Sequence, residues 1–285
     1  MNLSRREVSL AGLSIAAAST TGGLLVASSG CSASPIADDA NFSLYDSTLV
    51  NGLTPKAVTW AGRKWRCDAG STWHPDMDYC VRLKGDKARF EIRNTEFDRP
   101  DGDPVTKRRS ELHFPTQPRL LNEVPLWGAV SFIHHRWSDP LGMVRLMGGA
   151  LGQIHMGSSF GGSPAVAFRR EKTGAFAVTT SGETGGRNIS RYEASLAFDQ
   201  PHDVVYRVVL SPTQGSLVVW LNRRKIVDLQ GASIGSHFAE SYWNLGCYFG
   251  GGVTCPVIAE FANLAYPSPD SLQARTMSTP RWPND

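Results

Sequence analysis

Ser216-Leu-Val-Val-Trp-Leu221 and Lys225-Ile-Val-Asp-Leu229, joined by Asn222 and two arginines, decide the class of fold. Both runs are rich in β-branched and other apolar residues, and the polar residues between them are typical of a tight turn. The pair therefore predicts a β-hairpin. Runs of the same kind, separated by Gly, Pro, Asp and Asn clusters, occur from Tyr79 onward, whereas helical periodicity is scarce.

Twelve such runs predict strands: Tyr79–Lys84, Ala88–Arg93, Arg108–Phe114, Trp127–His134, Leu151–Met156, Ala165–Arg170, Ala175–Thr179, Val204–Leu210, Ser216–Leu221, Lys225–Leu229, Tyr242–Tyr248 and Val257–Leu264. This many strands need two packed layers, so we expect an all-β fold, a concave β-jelly-roll sandwich of two antiparallel sheets. No internal repeat of fixed period is visible, which disfavours a propeller or a solenoid.

Composition narrows the possible partners. The chain has 285 residues, 41% hydrophobic and 19% charged, enough for one large core. Its net charge of +3 is too small for a dedicated nucleic-acid surface but is compatible with an acidic polymer. After the N-terminus, no apolar run reaches the roughly 20 residues that span a bilayer.

The first 34 residues have the pattern of an export signal. Arg5-Arg6 precedes an uncharged stretch of small and apolar residues, Leu10 to Val26, which resembles a twin-arginine leader. Cleavage after Ala33 would release a periplasmic or secreted protein; lipidation at Cys31 is the alternative, and only then would the protein associate with a membrane. Beyond the leader we expect a linker at 35–60, the jelly-roll domain at 61–268 and a loosely held tail at 269–285.

Four cysteines remain after the leader: Cys67, Cys80, Cys247 and Cys255. An even number in an oxidising compartment predicts disulfides, and proximity favours the pairs Cys67–Cys80 and Cys247–Cys255. Buried thiols are the alternative, because twin-arginine export carries proteins that have already folded. No Cys-x-x-Cys pair is present, which argues against a zinc site made of cysteines.

Three short segments differ from the strand background: Arg109-Ser-Glu-Leu112, Gln153-Ile-His155 and Tyr242-Trp-Asn-Leu-Gly-Cys-Tyr248. Residues two apart share one face of a strand, so Gln153 and His155 point the same way, as do Arg109 and Glu111. A concave sheet could therefore gather a cation, an amide, an imidazole and the Tyr248 phenol. Arg108 falls on the opposite face of a regular strand.

In this order the three segments resemble the motifs of the jelly-roll polysaccharide lyases, which include alginate lyases, glucuronan lyases and heparin lyase I. Alginate lyases carry Arg-(Ser/Thr)-Glu-Leu, Gln-(Ile/Val)-His and Tyr-Phe-Lys-x-Gly-x-Tyr; here Trp243 replaces the Phe and Asn244 the Lys. Phe90-Glu-Ile-Arg93 and Gly215–Leu221 look closer to the glucuronan and heparin lyase branch. The resemblance extends over residues 60 to 265 and implies cleavage of a 4-linked uronate polymer by β-elimination.

Such an elimination removes the C5 proton of a uronate whose carboxylate must first be neutralised. Arg109 and Gln153 could bind that carboxylate, and Asn244, Glu111 and Arg108 are candidate substrate contacts. The base is His155 in an anti elimination or an ionised Tyr248 in a syn one, and in both cases Tyr248 protonates the leaving oxygen. No cofactor is required for this chemistry.

Other reactive-looking clusters favour simpler interpretations. A jelly-roll glycoside hydrolase would need paired carboxylates, but Glu96-Phe-Asp98-Arg-Pro-Asp101 has the composition of a turn. Asp98, Asp101 and Asp103 could bind a structural Ca²⁺ or form a solvated loop. His134-His135-Arg136 alternate across a strand, which favours a structural role.

A non-catalytic carbohydrate-binding protein is the remaining alternative. The aromatic residues Trp65, Trp73 and Trp137 could stack on sugar rings or lie in the core. Binding alone, however, requires no convergence of Arg109, Gln153, His155 and Tyr248. We therefore expect a lyase.

Overall fold

The computed structural model describes residues 46–47, 57–69, 79–92, 107–113, 122–135, 149–156, 163–171, 175–182, 189–235, 241–250 and 257–283. All of them belong to one compact unit. The strands are β1 (Asp46–Ser47), β2 (Ala57–Trp60), β3 (Arg63–Ala69), β4 (Val81–Lys84), β5 (Lys87–Ile92), β6 (Lys107–His113), β7 (Leu126–His134), β8 (Gly149–Met156), β9 (Val166–Arg170), β10 (Ala175–Thr180), β11 (Ile189–Ser195), β12 (His202–Val209), β13 (Ser211–Leu221), β14 (Arg224–Ile234), β15 (Ser241–Gly250) and β16 (Val257–Ser268). One short 3₁₀-helix, η1, spans Gln273–Thr276.

The strands form two sheets of eight. The back sheet has the order β1-β4-β5-β16-β7-β12-β13-β14, and the front sheet has the order β11-β10-β9-β8-β15-β6-β3-β2. All ladders between these strands are antiparallel. The predicted all-β sandwich of two antiparallel sheets is confirmed, and each of the twelve predicted strands corresponds to an observed one.

The core lies between the sheets, where alternate side chains of both sheets meet. Its largest members are aromatic, because flat rings fill the space between two pleated layers. Trp65 is completely buried and packs against the rings of Trp60, Trp243 and Tyr266. Trp65 is therefore a core residue, and the idea that it stacks on sugar was wrong. Trp73 and Trp137 lie outside the described residues.

Two parts of the predicted domain organisation were wrong. The predicted linker at 35–60 contains β1 and β2, and β2 pairs with β3 at the edge of the front sheet. Val58 and Trp60 of β2 belong to the core, so this segment is part of the fold. Strand β11 was not predicted either, because Ser, Arg and Glu make up most of it and none of its residues is buried.

The predicted loose tail at 269–285 is held against the back sheet in its described part. Arg275 donates hydrogen bonds to the Asp203 carboxylate, and Thr276 is buried. Asn263 donates to the carbonyl oxygen of Arg281. A segment rich in proline can pack firmly when one buried charge pairs with it, and composition did not reveal that partner.

The described cysteines are buried. Cys67, Cys80 and Cys247 are thiols, so the predicted Cys67–Cys80 disulfide is not formed, and Cys255 lies outside the described residues. Burial and the carboxylates of Glu111 and Glu91 raise the pKa of the Cys247 thiol. The thiolate is the reactive form of cysteine, so we expect the Cys247 thiol to be unreactive.

Within the described residues, no helix is long and apolar enough to cross a membrane.

Candidate active site

The three motifs lie on three adjacent strands in the middle of the front sheet, with β15 between β6 and β8. Arg109 is directly opposite Tyr248, and Gln153 is opposite Asn244. The alternate residues of these strands, such as Leu112, Trp243 and Ile154, belong to the core. Strand alternation therefore brings the motif side chains to the face turned away from the core, which we call the front face.

Glu111 is the buried centre of one polar network on this face. Its side chain is 1% exposed and accepts a hydrogen bond from Gln153 Nε2 at 3.1 Å. The same carboxylate forms an ion pair with Arg109, with 3.6 Å between Nη1 and Oε2. Glu111 thus fixes the two groups that were predicted to bind a carboxylate, while the Arg109 side chain remains 20% exposed.

A second group of contacts surrounds His155. Its Nδ1 lies 3.1 Å from the hydroxyl oxygen of Tyr242 and contacts the carbonyl oxygen of Met156. The rings of His155 and Tyr242 stack with 5.3 Å between centroids, and the His113 ring lies 4.2 Å from that of Tyr242. These contacts fix the Nδ1 edge of the ring, and His155 as a whole is only partly buried.

Tyr248 lies between two arginines. The Arg109 guanidinium is 4.8 Å from the centre of its ring, a cation–π distance. On the other side, Ala150 pairs with both Tyr248 and Arg169. Only the methyl side chain of Ala150 therefore lies between Tyr248 and Arg169 in this row of the sheet. Burial lowers the pKa of Arg169, while Glu171 and Tyr248 act to raise it. Arg169 Nε also donates to Thr179 Oγ1 at 2.9 Å, which orients this second cation.

Backbone geometry in β15 shapes the site. Gly246, opposite Glu111, has φ +140°, and a Cβ there would lie 2.3 Å from the Ser110 carbonyl oxygen. Only glycine allows β6 to approach so closely. The pairing of β15 with β8 shifts register between Leu245 and Tyr248, and this irregularity keeps Ala150 opposite Tyr248.

The structure sorts the predicted substrate contacts. Arg108 shares its strand face with Ser110 and Leu112, which are buried in the core, so strand geometry directs it away from the front face and does not support its prediction as a substrate contact. Glu111 and Asn244 do lie at the site, but they are 1% and 3% exposed and form its floor. Their contact with substrate stays a prediction.

Sequence reasoning missed three residues of the front face: His113, Arg169 and Tyr242. The alternation of side chains along β15 could have identified Tyr242, because Tyr242 lies on the same strand face as Asn244 and Tyr248. His113 could have been found in the same way, two residues after Glu111. Arg169 gave no such signal, since its place beside Tyr248 depends on the pairing of β8 with β9.

Other clusters lie away from this face. His134 and His135 belong to the back-sheet strand β7 and the residue after it; His135 contacts Glu260 and Asp199. The described residues contain no group of three His, Cys, Asp or Glu side chains that could hold a metal ion. Asp98, Asp101 and Asp103 lie outside them, so a Ca²⁺ there stays a prediction.

The sandwich of two antiparallel sheets is a fold shared with solved structures of polysaccharide lyases. The alginate lyase A1-II′, a member of polysaccharide lyase family 7, matches with a TM-score of 0.53 and 15% identity over 72% of this chain and 93% of that chain. The endo-β-1,4-glucuronan lyase of the fungus Trichoderma reesei matches with a TM-score of 0.50 and 12% identity over 78% of this chain and 94% of that one. No protein-family model and no curated protein matches the sequence.

Proposed function

We propose that this protein is a polysaccharide lyase that cleaves a 4-linked uronate polymer by β-elimination and leaves unsaturated uronate ends. One observation carries the proposal: a cation, an amide, an imidazole and a phenol converge on one face of β6, β15 and β8. A binding protein would not need an acid and a base beside a carboxylate-binding pair.

The carboxylate of the uronate is the first requirement. Arg109 and Gln153 can bind it together, since Glu111 holds both in place. Glu111 cancels part of the Arg109 charge, so the second cation, Arg169, supplies positive charge on the other side of Tyr248. These donors would also stabilise the charge that develops on the carboxylate as the C5 proton leaves.

The acid and the base are assigned from the same geometry. His155, with one ring nitrogen held by oxygens, offers the other nitrogen as a proton acceptor. Tyr248, partly exposed between Arg109 and Arg169, would protonate the departing oxygen. This division of labour corresponds to the anti elimination; in the syn alternative, Tyr248 would perform both steps.

Two solved neighbours support this assignment of roles. A Tyr-to-Phe variant of A1-II′ is solved in complex with a product (GGG), at 14% identity and a TM-score of 0.52. A variant of the same lyase with a His-to-Asn change added is solved with a substrate (GGMG). The substituted residue types are those we assign as acid and base.

The test is to incubate the mature protein with alginate, polyglucuronate and heparin while following the ultraviolet absorbance of unsaturated uronate. We expect product from one of these polymers, and a loss of about 10²–10⁴-fold in kcat for Tyr248→Phe. Tyr192→Phe, at a partly buried tyrosine of the edge strand β11, is the matched control and should keep full activity. Binding without product would instead indicate a carbohydrate-binding protein.

We also propose that the enzyme acts after export, in the periplasm or outside the cell. The twin-arginine pattern of the first 34 residues supports this proposal. Cell fractionation of the full chain, compared with an Arg5→Lys, Arg6→Lys variant, tests it. Retention of the variant in the cytoplasm is the expected result, and equal export would contradict the twin-arginine assignment.

A further inference from the structure

We infer that Tyr242 is a positioning residue that, together with the Met156 carbonyl, fixes the tautomer of His155 with the proton on Nδ1 and the lone pair on Nε2. The catalytic meaning of this inference rests on the proposed function; the tautomer itself does not. Tyr242 begins the third sequence motif, but the sequence analysis assigned it no role.

The contacts of Nδ1 determine the tautomer. A carbonyl oxygen can only accept a hydrogen bond, so the contact with Met156 favours the tautomer with the proton on Nδ1. A neutral imidazole then has its lone pair on Nε2. The Tyr242 hydroxyl, 3.1 Å from the same Nδ1, can accept a share of that N–H bond through an oxygen lone pair.

Ring packing holds this arrangement in place. The Tyr242 ring lies nearly parallel to that of His155, at 19°, and contacts the His113 ring as well. Three rings from β6, β15 and β8 therefore form one packed row across the sheet. Because His155 and Tyr242 are directly opposite in register, rotation of the imidazole would cost both the stacking and the hydrogen bonds.

The arrangement matters for proton transfer. When Nε2 takes the C5 proton, the imidazole becomes a cation, and the two oxygens facing Nδ1 stabilise that charge. Without the Tyr242 hydroxyl, Nδ1 would keep one of these two oxygens, that of the Met156 carbonyl. The ring would still pack, but its orientation and its tautomer would be less well fixed.

Tyr242→Phe tests the inference because it removes the hydroxyl and keeps the ring. Two-dimensional ¹⁵N NMR of the ligand-free protein reports the tautomer of His155 directly, with His155→Asn assigning the signal. We expect the Nδ1–H tautomer in the parent protein and a mixture with the Nε2–H tautomer in the variant. Kinetically, kcat should fall about 10-fold with KM changed less than about twofold, as for loss of an orienting partner.

Two results would overturn the inference: an Nε2–H tautomer in the parent protein, or a variant with both tautomer and kcat unchanged. Tyr192→Phe is the control for loss of a phenol elsewhere in the front sheet. If no polymer yields unsaturated product, the proposed function fails, yet the NMR result still decides the tautomer. The two failures are therefore distinguishable.

Discussion

Each sheet carries a polar network centred on a buried carboxylate, and these two networks differ in the contacts that the rest of the chain makes with them. In the front sheet, Glu111 on β6 contacts Arg109 and, across β15, Gln153 on β8. In the back sheet, Asp203 on β12 accepts from Ser131 on the neighbouring strand β7 at 2.7 Å. Each network centres on a carboxylate that is almost completely buried.

The difference lies in what covers them. The segment after β16 returns over the back sheet, and Arg275 binds both oxygens of Asp203, at 2.6 and 3.2 Å. No such cover is seen over the front network in the described part of the chain, where Arg109, His155 and Tyr248 stay partly exposed. The Arg275–Asp203 ion pair holds the C-terminal segment on the back sheet and so contributes to stability, whereas the partly exposed side chains of the front network can contact a ligand.

Removal of the Arg275 cation from the back-sheet network should have the largest effect on the free energy of unfolding. Arg275→Met leaves Asp203 buried without its cation, and we expect a loss of about 3–5 kcal/mol in the free energy of unfolding. Urea denaturation measures it, and kcat at temperatures where the variant is folded should not change. Adding Asp203→Asn should restore part of the loss. Full stability in Arg275→Met would show that the C-terminal segment is only loosely attached.

A substitution at Gly246, which shapes the backbone of β15 in the front sheet, should have the next largest effect on the free energy of unfolding. Gly246→Ala combines a left-handed φ with a Cβ 2.3 Å from the Ser110 carbonyl oxygen, and should cost about 2–4 kcal/mol as well as displacing Tyr248. Gly85→Ala is the matched control, because Gly85 has φ +53° with open space around its Cβ position. It should cost about 1 kcal/mol and leave kcat unchanged. Equal losses in the two variants would rule out the steric argument.

His134, a histidine enclosed by the fold, should make the free energy of unfolding depend on pH. Burial, together with Arg170 and His135, lowers the pKa of His134 to about 3. The unfolded chain therefore binds this proton first as the pH falls from about 6.5, and stability decreases by up to about 1.4 kcal/mol per pH unit. His134→Gln should flatten the dependence of urea midpoint on pH between about 5 and 6.5. Parallel curves for the two proteins would contradict it.

How far the sequence could predict this molecule follows from what each feature depends on. From Tyr79 onward, strands with an apolar face were predicted, because their burial shows in the residues themselves, whereas β11, which is mostly polar, was not. The edge strands β2 and β3 were also missed, although their buried residues alternate with exposed ones. The convergence of Arg109, Gln153, His155 and Tyr248 was predictable from motifs and alternation. The contribution of Arg169 was not, because it arises from strand pairing, and the Arg275 contact depends on a pairing between residues 72 positions apart.

The smallest expected effect is a change in kcat and KM, and it tests the role of Glu111 in the front-sheet network. Glu111→Gln keeps the shape and an oxygen that can accept from Gln153 Nε2, but removes the charge that faces Arg109. We expect kcat to fall about 10-fold as Arg109 loses its orientation, and KM to stay level or fall, since a negative charge near the uronate carboxylate is gone. A rise in KM with unchanged kcat would mean that Glu111 binds the substrate directly. Steady-state kinetics on the polymer identified with the parent protein separates the two.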